Sequence, residues 1–459
     1  MSPFVHLHTH SYYSFLNGAS SIESLCKAAK ERGFTHLALT DTNGFYGLQN
    51  FLETAPTYHL KPIVGVFIKT NENEGILIAK KREGYSFICD ILTCYHMNDD
   101  FSLTEALRNG APHIALITKD IELLKHLKDK LECWVEIRPG SKGREVINYA
   151  RENNLPPLAT NAVYFANQED FELHKLLRAI DLNSTISDLS ERDIVNPDQW
   201  LKPEELLRVS FPHIPEALEN TWILARDCET EWRNTSQVFP AYQDRKEDHF
   251  NILLKRCLQG IKWRYGKISR MIKKRLDYEL SIIREKGYVD YFLVVADIAD
   301  SFPIHCGRGS AAASLVSYLL GITHVDPIKH NLSFFRFLNP NRLDLPDIDI
   351  DFPWDERDKV LEFVNKTYGN ERMAMVANHV GFRGKGAIWE VAKVYGLSSA
   401  EIKRVTKRLS IYTRGETLKE QIASHPRCKN LQLPPPWPQI ISLASQISGF
   451  PKHLSVHCG

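Results

Sequence analysis

The chain has 459 residues, 43% hydrophobic and 25% charged, which suits an ordinary globular protein of about two or three domains. Its formal net charge of +1 neither requires nor excludes nucleic acid, because the 57 basic residues can be unevenly placed. No apolar run suggests a membrane span, and nine cysteines without a C-x-x-C pair favour reduced thiols in a cytosolic protein over a disulfide framework.

The first third of the sequence alternates strand-like segments with helix-like ones. In chain order these are a strand at 5–11, a helix at 21–30, and strands at 35–41 and 61–68. Such alternation predicts a parallel sheet or barrel with polar residues at the strand ends. His8, His10 and Asp41 are therefore candidate metal ligands, because imidazole and carboxylate are a common set in hydrolases. The alternative is that the two histidines only line a loop or the core.

This region resembles the PHP domain (polymerase and histidinol phosphatase) at the front of bacterial DNA polymerase III alpha subunits. The resemblance rests on segments 8–11, 14–20, 39–41, 62–66 and 158–161. Several positions depart from the pattern of metal-binding members, namely Asn17, Thr42, Phe67, Ala162 and Tyr164. Losing that many donors should remove most of the metal affinity. We therefore expect a structural barrel without nuclease or phosphatase activity.

A polar break at 234–244 predicts a domain boundary, after an amphipathic helical stretch at 165–235. Beyond it, residues 249–286 are basic and helical, with aromatic residues between the cations. That pattern suits phosphate contacts, and a solvated helix face explains it equally well.

A glycine-rich turn at 307–310 runs into an apolar helix over 311–320 that Gly321 closes. Ser310 is expected at the N-cap of that helix. The glycines of the turn let backbone amides approach an anion, the helix N-terminus adds its dipole, and Arg308 adds charge. The turn is thus a candidate phosphate site, with a plain tight turn as the alternative.

Further along, three aspartates alternate with two isoleucines. In a strand, Asp347, Asp349 and Asp351 share one face, while Ile348 and Ile350 enter the core on the other. Carboxylates on one face repel one another unless a cation neutralises them, and oxygen-rich clusters suit Mg²⁺. The alternative is an edge strand with a solvated acidic face.

Arg336 and Arg342 stand between the turn and the acidic strand, and each can hold phosphate bidentately. Two-metal phosphoryl transfer needs carboxylates for the metals, a cradle for the triphosphate and cations against its charge. The sequence supplies all three in order.

These segments resemble the palm of family C bacterial DNA polymerases, the replicative alpha subunits and their error-prone relatives. The matching segments are 307–312, 321–323, 326–327, 336–340 and 346–352, and with the PHP-like region the resemblance covers essentially the whole chain. It implies that Gly309 and Ser310 bind the phosphates of the incoming nucleotide. It also implies that two of the three aspartates bind two magnesium ions. Which two are ligands is left open, as is the replicative or error-prone role.

The implied fold class combines α/β and α+β domains. A PHP-type β/α barrel at 1–240 precedes a nucleotidyltransferase-like (polymerase beta-like) palm at 241–378 with an inserted helical thumb at 379–450, and 451–459 begins the return to the palm. In the thumb, Arg383 and Lys385 are expected to touch the DNA backbone without reading sequence, a solvated loop being the alternative.

The resemblance implies a DNA-directed DNA polymerase active in replication or repair. Its partners would be primer-template DNA, deoxynucleoside triphosphates, a sliding clamp and other replication or repair proteins, in the cytoplasm and away from membranes. Relatives continue with a third catalytic aspartate and the fingers, so this chain alone is expected to have no useful polymerase activity. Two alternatives stay open. One is a catalytically inactive DNA-binding protein, and the other is a PHP-type metal-dependent phosphoesterase.

Overall fold

The computed structural model describes residues 3–139, 144–232, 240–242, 248–339, 346–409, 418–424, 426–428 and 431–457. The chain divides into two compact units, one made of Met1–Asn234 with Ala377–Gly459 and the other of Thr235–Val376. Within the described ranges, no helix is long and apolar enough to cross a membrane.

A six-stranded sheet in sequential order forms the centre of the first unit. Its strands are β1 (His36–Leu39), β2 (Lys61–Lys69), β3 (Glu74–Ala79), β4 (Ile114–Thr118), β5 (Glu132–Ile137) and β6 (Pro157–Ala159). Pairing is parallel from β1 to β2 and from β4 through β6, but antiparallel from β2 through β4. The predicted strands at 35–41 and 61–68 are confirmed. A short connection at 70–73 joins β2 to β3 as a hairpin, so the sheet is mixed and not purely parallel.

The extended segment at 5–10 closes this sheet into a ring. On one side Ala38 N donates to His6 O at 3.0 Å. On the other side His10 N donates to Val163 O at 2.8 Å, and Val163 N donates to His8 O at 2.9 Å. The segment therefore lies between β1 and the chain that follows β6. The predicted strand at 5–11 is irregular, but it makes the contacts that a barrel needs.

Nine helices of this part of the chain follow or flank the strands. They are α1 (Ile22–Glu31), α2 (Leu48–Thr54), α3 (Arg82–Met97), α4 (Leu103–Leu107), α5 (Ile121–Leu127), α6 (Arg144–Glu152), α7 (Phe171–Asp181), α8 (Glu204–Ser210) and α9 (Pro215–Arg226), within the described residues. The predicted helix at 21–30 is confirmed. Ser21 caps it by accepting from Ser24 N, and Gly33 at φ +79° ends it in the left-handed region.

The second unit packs a short ribbon against helices. Its elements are α10 (His249–Tyr265), α11 (Arg270–Glu285), α12 (Val289–Ser301), β7 (Cys306–Arg308), a 3₁₀ turn (Gly309–Ala313), α13 (Leu315–Leu319), a second 3₁₀ turn (Phe334–Arg336), β8 (Asp349–Asp351) and α14 (Arg357–Tyr368). β7 and β8 pair antiparallel. Apolar faces of α10 to α13 form the core beneath them. The predicted basic helical region at 249–286 is confirmed as α10 and α11.

The last part of the chain returns to the first unit. It contains β9 (Ala377–Gly381), α15 (Gly384–Val394), α16 (Ser399–Thr406), α17 (Leu418–Ser424), α18 (Trp437–Ile447) and β10 (Pro451–Val456), with β10 antiparallel to β9. α15 packs between α18 and α7, and their shared core includes Leu16 and Phe165 beside the barrel. The helices expected as a thumb thus share a core with the chain that flanks the barrel.

Candidate active site

The acidic segment at 347–351 exposes its three carboxylates, although only Asp349 and Asp351 belong to the paired strand β8. Asp347, Asp349 and Asp351 are exposed, whereas Ile348 and Ile350 are half-buried and pack against the core of the second unit. The predicted alternation of faces is therefore confirmed. It follows from the two-residue period of a strand that has apolar support on one side only.

The pairing of β7 with β8 brings the turn to the carboxylates. Arg308 lies opposite Asp349 in the register, and Cys306 lies opposite Asp351. Arg308 Nε donates to Asp351 Oδ1 at 2.9 Å, and this pairing raises the pKa of the guanidinium. The two side chains are 60% and 58% exposed, so water and salt weaken the pair and leave it able to exchange partners.

Gly309 has φ +69°, so a residue with a side chain would destabilise the turn at this point. A Cβ on it would lie 2.8 Å from Asp349 Oδ2, closer than real Cβ contacts. The glycine therefore permits both the left-handed backbone of the turn and the close approach of the carboxylate. The Gly309 backbone and the Asp349 carboxylate therefore lie next to each other.

Tyr291 on α12 supports the acidic strand from behind. Its hydroxyl oxygen accepts from Ile348 N at 3.1 Å, which leaves the hydroxyl proton available for another acceptor. Burial raises the pKa of Tyr291, the hydrogen bond from Ile348 opposes the rise, and the nearby Asp347 and Asp349 carboxylates add to it. Sequence reasoning missed this residue, although a partly buried tyrosine hydroxyl usually has a hydrogen-bond partner.

The predicted N-cap at Ser310 is wrong. The chain forms a 3₁₀ turn from Gly309 to Ala313, and the following helix α13 begins only after Ser314, whose Oγ accepts from Ser317 N. The first amides of α13 donate to the buried Glu279 carboxylate, so they are not open to a phosphate. Glu279 on α11 also accepts from Ser314 Oγ, so it helps to fix the start of α13 at Ser314. The predicted end at Gly321 is confirmed, with φ +79°.

The basic side chains predicted to bind phosphate or the DNA backbone lie in different parts of the chain. Arg336 is exposed in the second 3₁₀ turn, which contacts the turn Gly309–Ala313. Arg342 lies outside the described residues. Arg383 is exposed just before α15 and Lys385 is half-buried in its first turn, both in the first unit.

The barrel histidines contact each other and other side chains. His8 Nδ1 donates to Glu136 Oε1 at 2.8 Å, and the Nε2 atoms of His8 and His10 share a hydrogen bond of 2.9 Å. Arg138 Nη2 lies 2.8 Å from Glu136 Oε2. Burial lowers the pKa of both imidazoles, and burial of Glu136 is outweighed by Arg138 and His8, which lower the pKa of that carboxyl well below its usual range.

Serine donors hold the Asp41 carboxylate. It accepts from Ser11 N at 2.7 Å, and from Ser11 Oγ and Ser14 Oγ at 2.8 Å each. Burial raises the pKa of Asp41 to about 6, against the effect of these donors. Ser14 Oγ also lies 3.0 Å from His10 Nδ1, so it links the carboxylate to the histidine pair.

Aromatic rings occupy two of the positions that depart from the metal-binding pattern. The Phe67 ring lies 4.9 Å from that of His8, and Tyr164 stacks on His10 at 4.2 Å. Among the residues that the structure describes, no group of three or more histidine, cysteine or acidic side chains is arranged to hold a metal. That finding covers His8, His10 and Asp41 and equally Asp347, Asp349 and Asp351, so metal binding at either place stays a prediction.

Comparisons with known proteins match both halves of the chain. Residues 6–169 match the PHP domain model, and residues 251–459 match the model of the bacterial DNA polymerase III alpha NTPase domain. DNA polymerase III subunit alpha of Bacillus subtilis is 33% identical over 99% of this chain and 44% of its own length. An error-prone DNA polymerase of Symbiobacterium thermophilum is 29% identical over 99% of this chain and 47% of its own length.

Residues 6–169 thus form a PHP domain, and residues 251–459 form a bacterial DNA polymerase III alpha NTPase domain. The chain spans somewhat less than half the length of these curated relatives, 44% and 47%. The PHP match agrees with the closed sheet of the first unit and confirms the predicted PHP-type barrel. Among solved structures, a two-domain protein from Bacteroides vulgatus, described as containing a predicted PHP-like metal-dependent phosphoesterase, is 13% identical with a TM-score of 0.30 and covers 48% of this chain and 63% of its own.

Proposed function

We propose that this chain is the N-terminal part of a DNA-directed DNA polymerase and that its second unit supplies palm carboxylates for nucleotidyl transfer. The observation that carries the proposal is the exposed acidic segment at 347–351, whose strand β8 pairs with the chain that leads into the glycine turn. The NTPase domain match supports it, since the relatives bear polymerase names.

In this proposal Asp347, Asp349 and Asp351 are the residues that would hold two magnesium ions. All donors on that face are carboxylate oxygens, which is the set that Mg²⁺ prefers. When bound, such ions lower the pKa of the primer 3′-hydroxyl and offset charge on the reacting phosphate. In this proposal Arg308 would pair with Asp351 in the free chain and turn to a phosphate oxygen when a nucleotide binds.

The reaction would join the primer 3′-oxygen to the α-phosphorus of a deoxynucleoside triphosphate and release pyrophosphate. Gly309 and Ser310 would approach the phosphates through their backbone amides, because Gly309 carries no side chain of its own. Arg308 and Arg336 would neutralise phosphate oxygens, and Arg342 would share that role. Tyr291 keeps the acidic strand in place.

Primer-template DNA is the proposed partner, together with a sliding clamp and other replication or repair proteins. Arg383 and Lys385 at the start of α15 are proposed to contact the DNA backbone, which would make binding fall with salt. A cytoplasmic location suits this role.

The test is magnesium-dependent binding of dATP to the chain, measured by calorimetry. Asp349→Asn removes a proposed ligand and should weaken binding by about tenfold or more. Asp355→Asn changes an equally exposed carboxylate beyond β8 and is the matched control. Equal affinities of wild type and Asp349→Asn, with and without Mg²⁺, would contradict the proposal.

A further inference from the structure

A buried ion pair lies behind the glycine turn of the second unit. Arg275 and Glu279 are one helical turn apart on α11, and Glu279 is fully buried. Arg275 Nε donates to Glu279 Oε1 at 2.6 Å. A buried carboxylate is costly unless its oxygens are hydrogen-bonded, so its other partners indicate what the pair holds in place.

The Glu279 carboxylate accepts three more hydrogen bonds from the chain directly after the turn. They come from Ser314 Oγ at 2.9 Å, Leu315 N at 3.0 Å and Val316 N at 3.1 Å. Each oxygen thus has two donors, which uses the full accepting capacity of a carboxylate. Burial raises the pKa of Glu279, and its donors and Arg275 oppose that rise.

Arg275 connects the same pair to two backbone carbonyls. Its Nη2 donates to Ala313 O at 2.9 Å and to Leu332 O at 3.0 Å. Ala313 ends the 3₁₀ turn that starts at Gly309, and Leu332 precedes the second 3₁₀ turn that ends at Arg336. One guanidinium therefore joins the two segments that carry the proposed phosphate contacts.

We infer that Arg275 and Glu279 are positioning residues that hold the glycine turn and Arg336 at a fixed separation for a nucleoside triphosphate. The inference rests on the proposed function, because it assumes that phosphates bind to these segments. Lysine cannot replace Arg275, since it lacks the fork that reaches a carboxylate and two carbonyls at once. Glutamine cannot replace Glu279, since its amide nitrogen would face two donors.

The experiment compares Glu279→Gln and Arg275→Lys with Asp290→Asn in the full 459-residue chain. Asp290 is a control because its carboxylate is hydrogen-bonded elsewhere in the same unit, 2.6 Å from His249 Nδ1. Amide hydrogen exchange is measured without nucleotide at residues 309–316 and 332–336. Affinities for dATP and dAMP are measured separately with Mg²⁺.

We expect faster exchange in both segments of Glu279→Gln and Arg275→Lys, and a loss of dATP affinity of about tenfold or more with dAMP changed little. Asp290→Asn should change neither. If a single variant does not fold, the Arg275→Met/Glu279→Leu double variant leaves no unpaired buried charge and is compared in the same way.

Unaltered exchange at both segments would overturn the positioning inference whatever happens to nucleotide affinity. A wild-type chain that binds dATP no better than dAMP would count against the proposed function instead. In that case the exchange data still decide whether the pair positions the two segments.

Discussion

At the residue scale, the candidate site depends on a few close contacts that a substitution would disrupt. Gly309 combines a left-handed backbone with close approach to Asp349, and Tyr291 holds the backbone of the acidic strand. The alternation of Asp and Ile predicted the exposed face, because a strand has only two faces. Nothing in the sequence around Asp349 indicated that Tyr291 would reach Ile348, because that contact depends on how α12 packs.

Replacing Gly309 with alanine should destabilise the second unit by about 1 kcal/mol, because alanine resists a positive φ. The new Cβ should also displace the Asp349 carboxylate and weaken magnesium-dependent nucleotide binding. Gly386→Ala is the control, since Gly386 lies inside α15 with open space around it and alanine favours helices. Urea denaturation should show opposite signs for the two variants. A Gly309→Ala variant as stable as wild type would contradict this account.

Tyr291→Phe removes only the hydroxyl that accepts from Ile348 N. The half-buried amide then loses its partner, and stability should fall by about 1 kcal/mol. Tyr278→Phe on α11 is a control with a more exposed ring and should change stability little. Thermal unfolding of the two variants provides the comparison, and equal melting temperatures would argue against support by Tyr291.

At the element scale, hydrogen bonds between buried side chains connect the barrel cluster. A line of hydrogen bonds runs from Asp41 through Ser14, His10 and His8 to Glu136. With both carboxylates ionised and both imidazoles neutral, these groups have three protons for four hydrogen bonds. One additional proton would complete the line. The histidines and the departures from the family pattern were visible in the sequence, but the Glu136–Arg138 pair requires the closure of the ring.

Asp41 should therefore make stability depend on pH. Its folded pKa of about 6 lies above the ordinary 3.8, so its contribution is complete below 3.8 and is lost as pH rises through about 6. The shift corresponds to about 3 kcal/mol between pH 4 and pH 7. His6 acts in the opposite direction, since its pKa of about 4 costs stability as pH falls from 6.5.

Urea denaturation at several pH values tests this dependence with Asp41→Asn. Relative to wild type, the variant should gain stability as pH rises from 4 to 7, because it carries no buried charge to form. Asp90→Asn on the exposed side of α3 should run parallel to wild type. A parallel profile for Asp41→Asn as well would show that the carboxylate does not titrate in this range.

At the scale of the whole molecule, local patterns predicted helices and strands but not which distant parts of the chain share a core. The boundaries expected at 240 and 378 lie close to the divisions at 234 and 376. The helices after 379 share a core with α7, a contact between distant parts of the chain that no local period indicates. Glu279 could have been noticed, because a carboxylate beside Leu276, Leu280 and Ile283 on a buried helix face must be paired.

That shared core can be tested at Ile388, which is fully buried on α15. Ile388→Ala should cost about 2–5 kcal/mol of stability and should loosen the first unit, because its core includes α7. Val209→Ala, at a side chain 77% exposed, is the control and should have little effect. If hydrogen exchange in α7 stays as slow in Ile388→Ala as in wild type, α7 and α15 are not stabilised together.

The most direct test of the central claim is primer extension by the complete product of the gene that encodes this chain. The account predicts template-directed, magnesium-dependent incorporation that Asp349→Asn abolishes and that Asp355→Asn leaves intact. Incorporation at the wild-type rate by Asp349→Asn would contradict the assignment of the β8 carboxylates as the catalytic metal ligands.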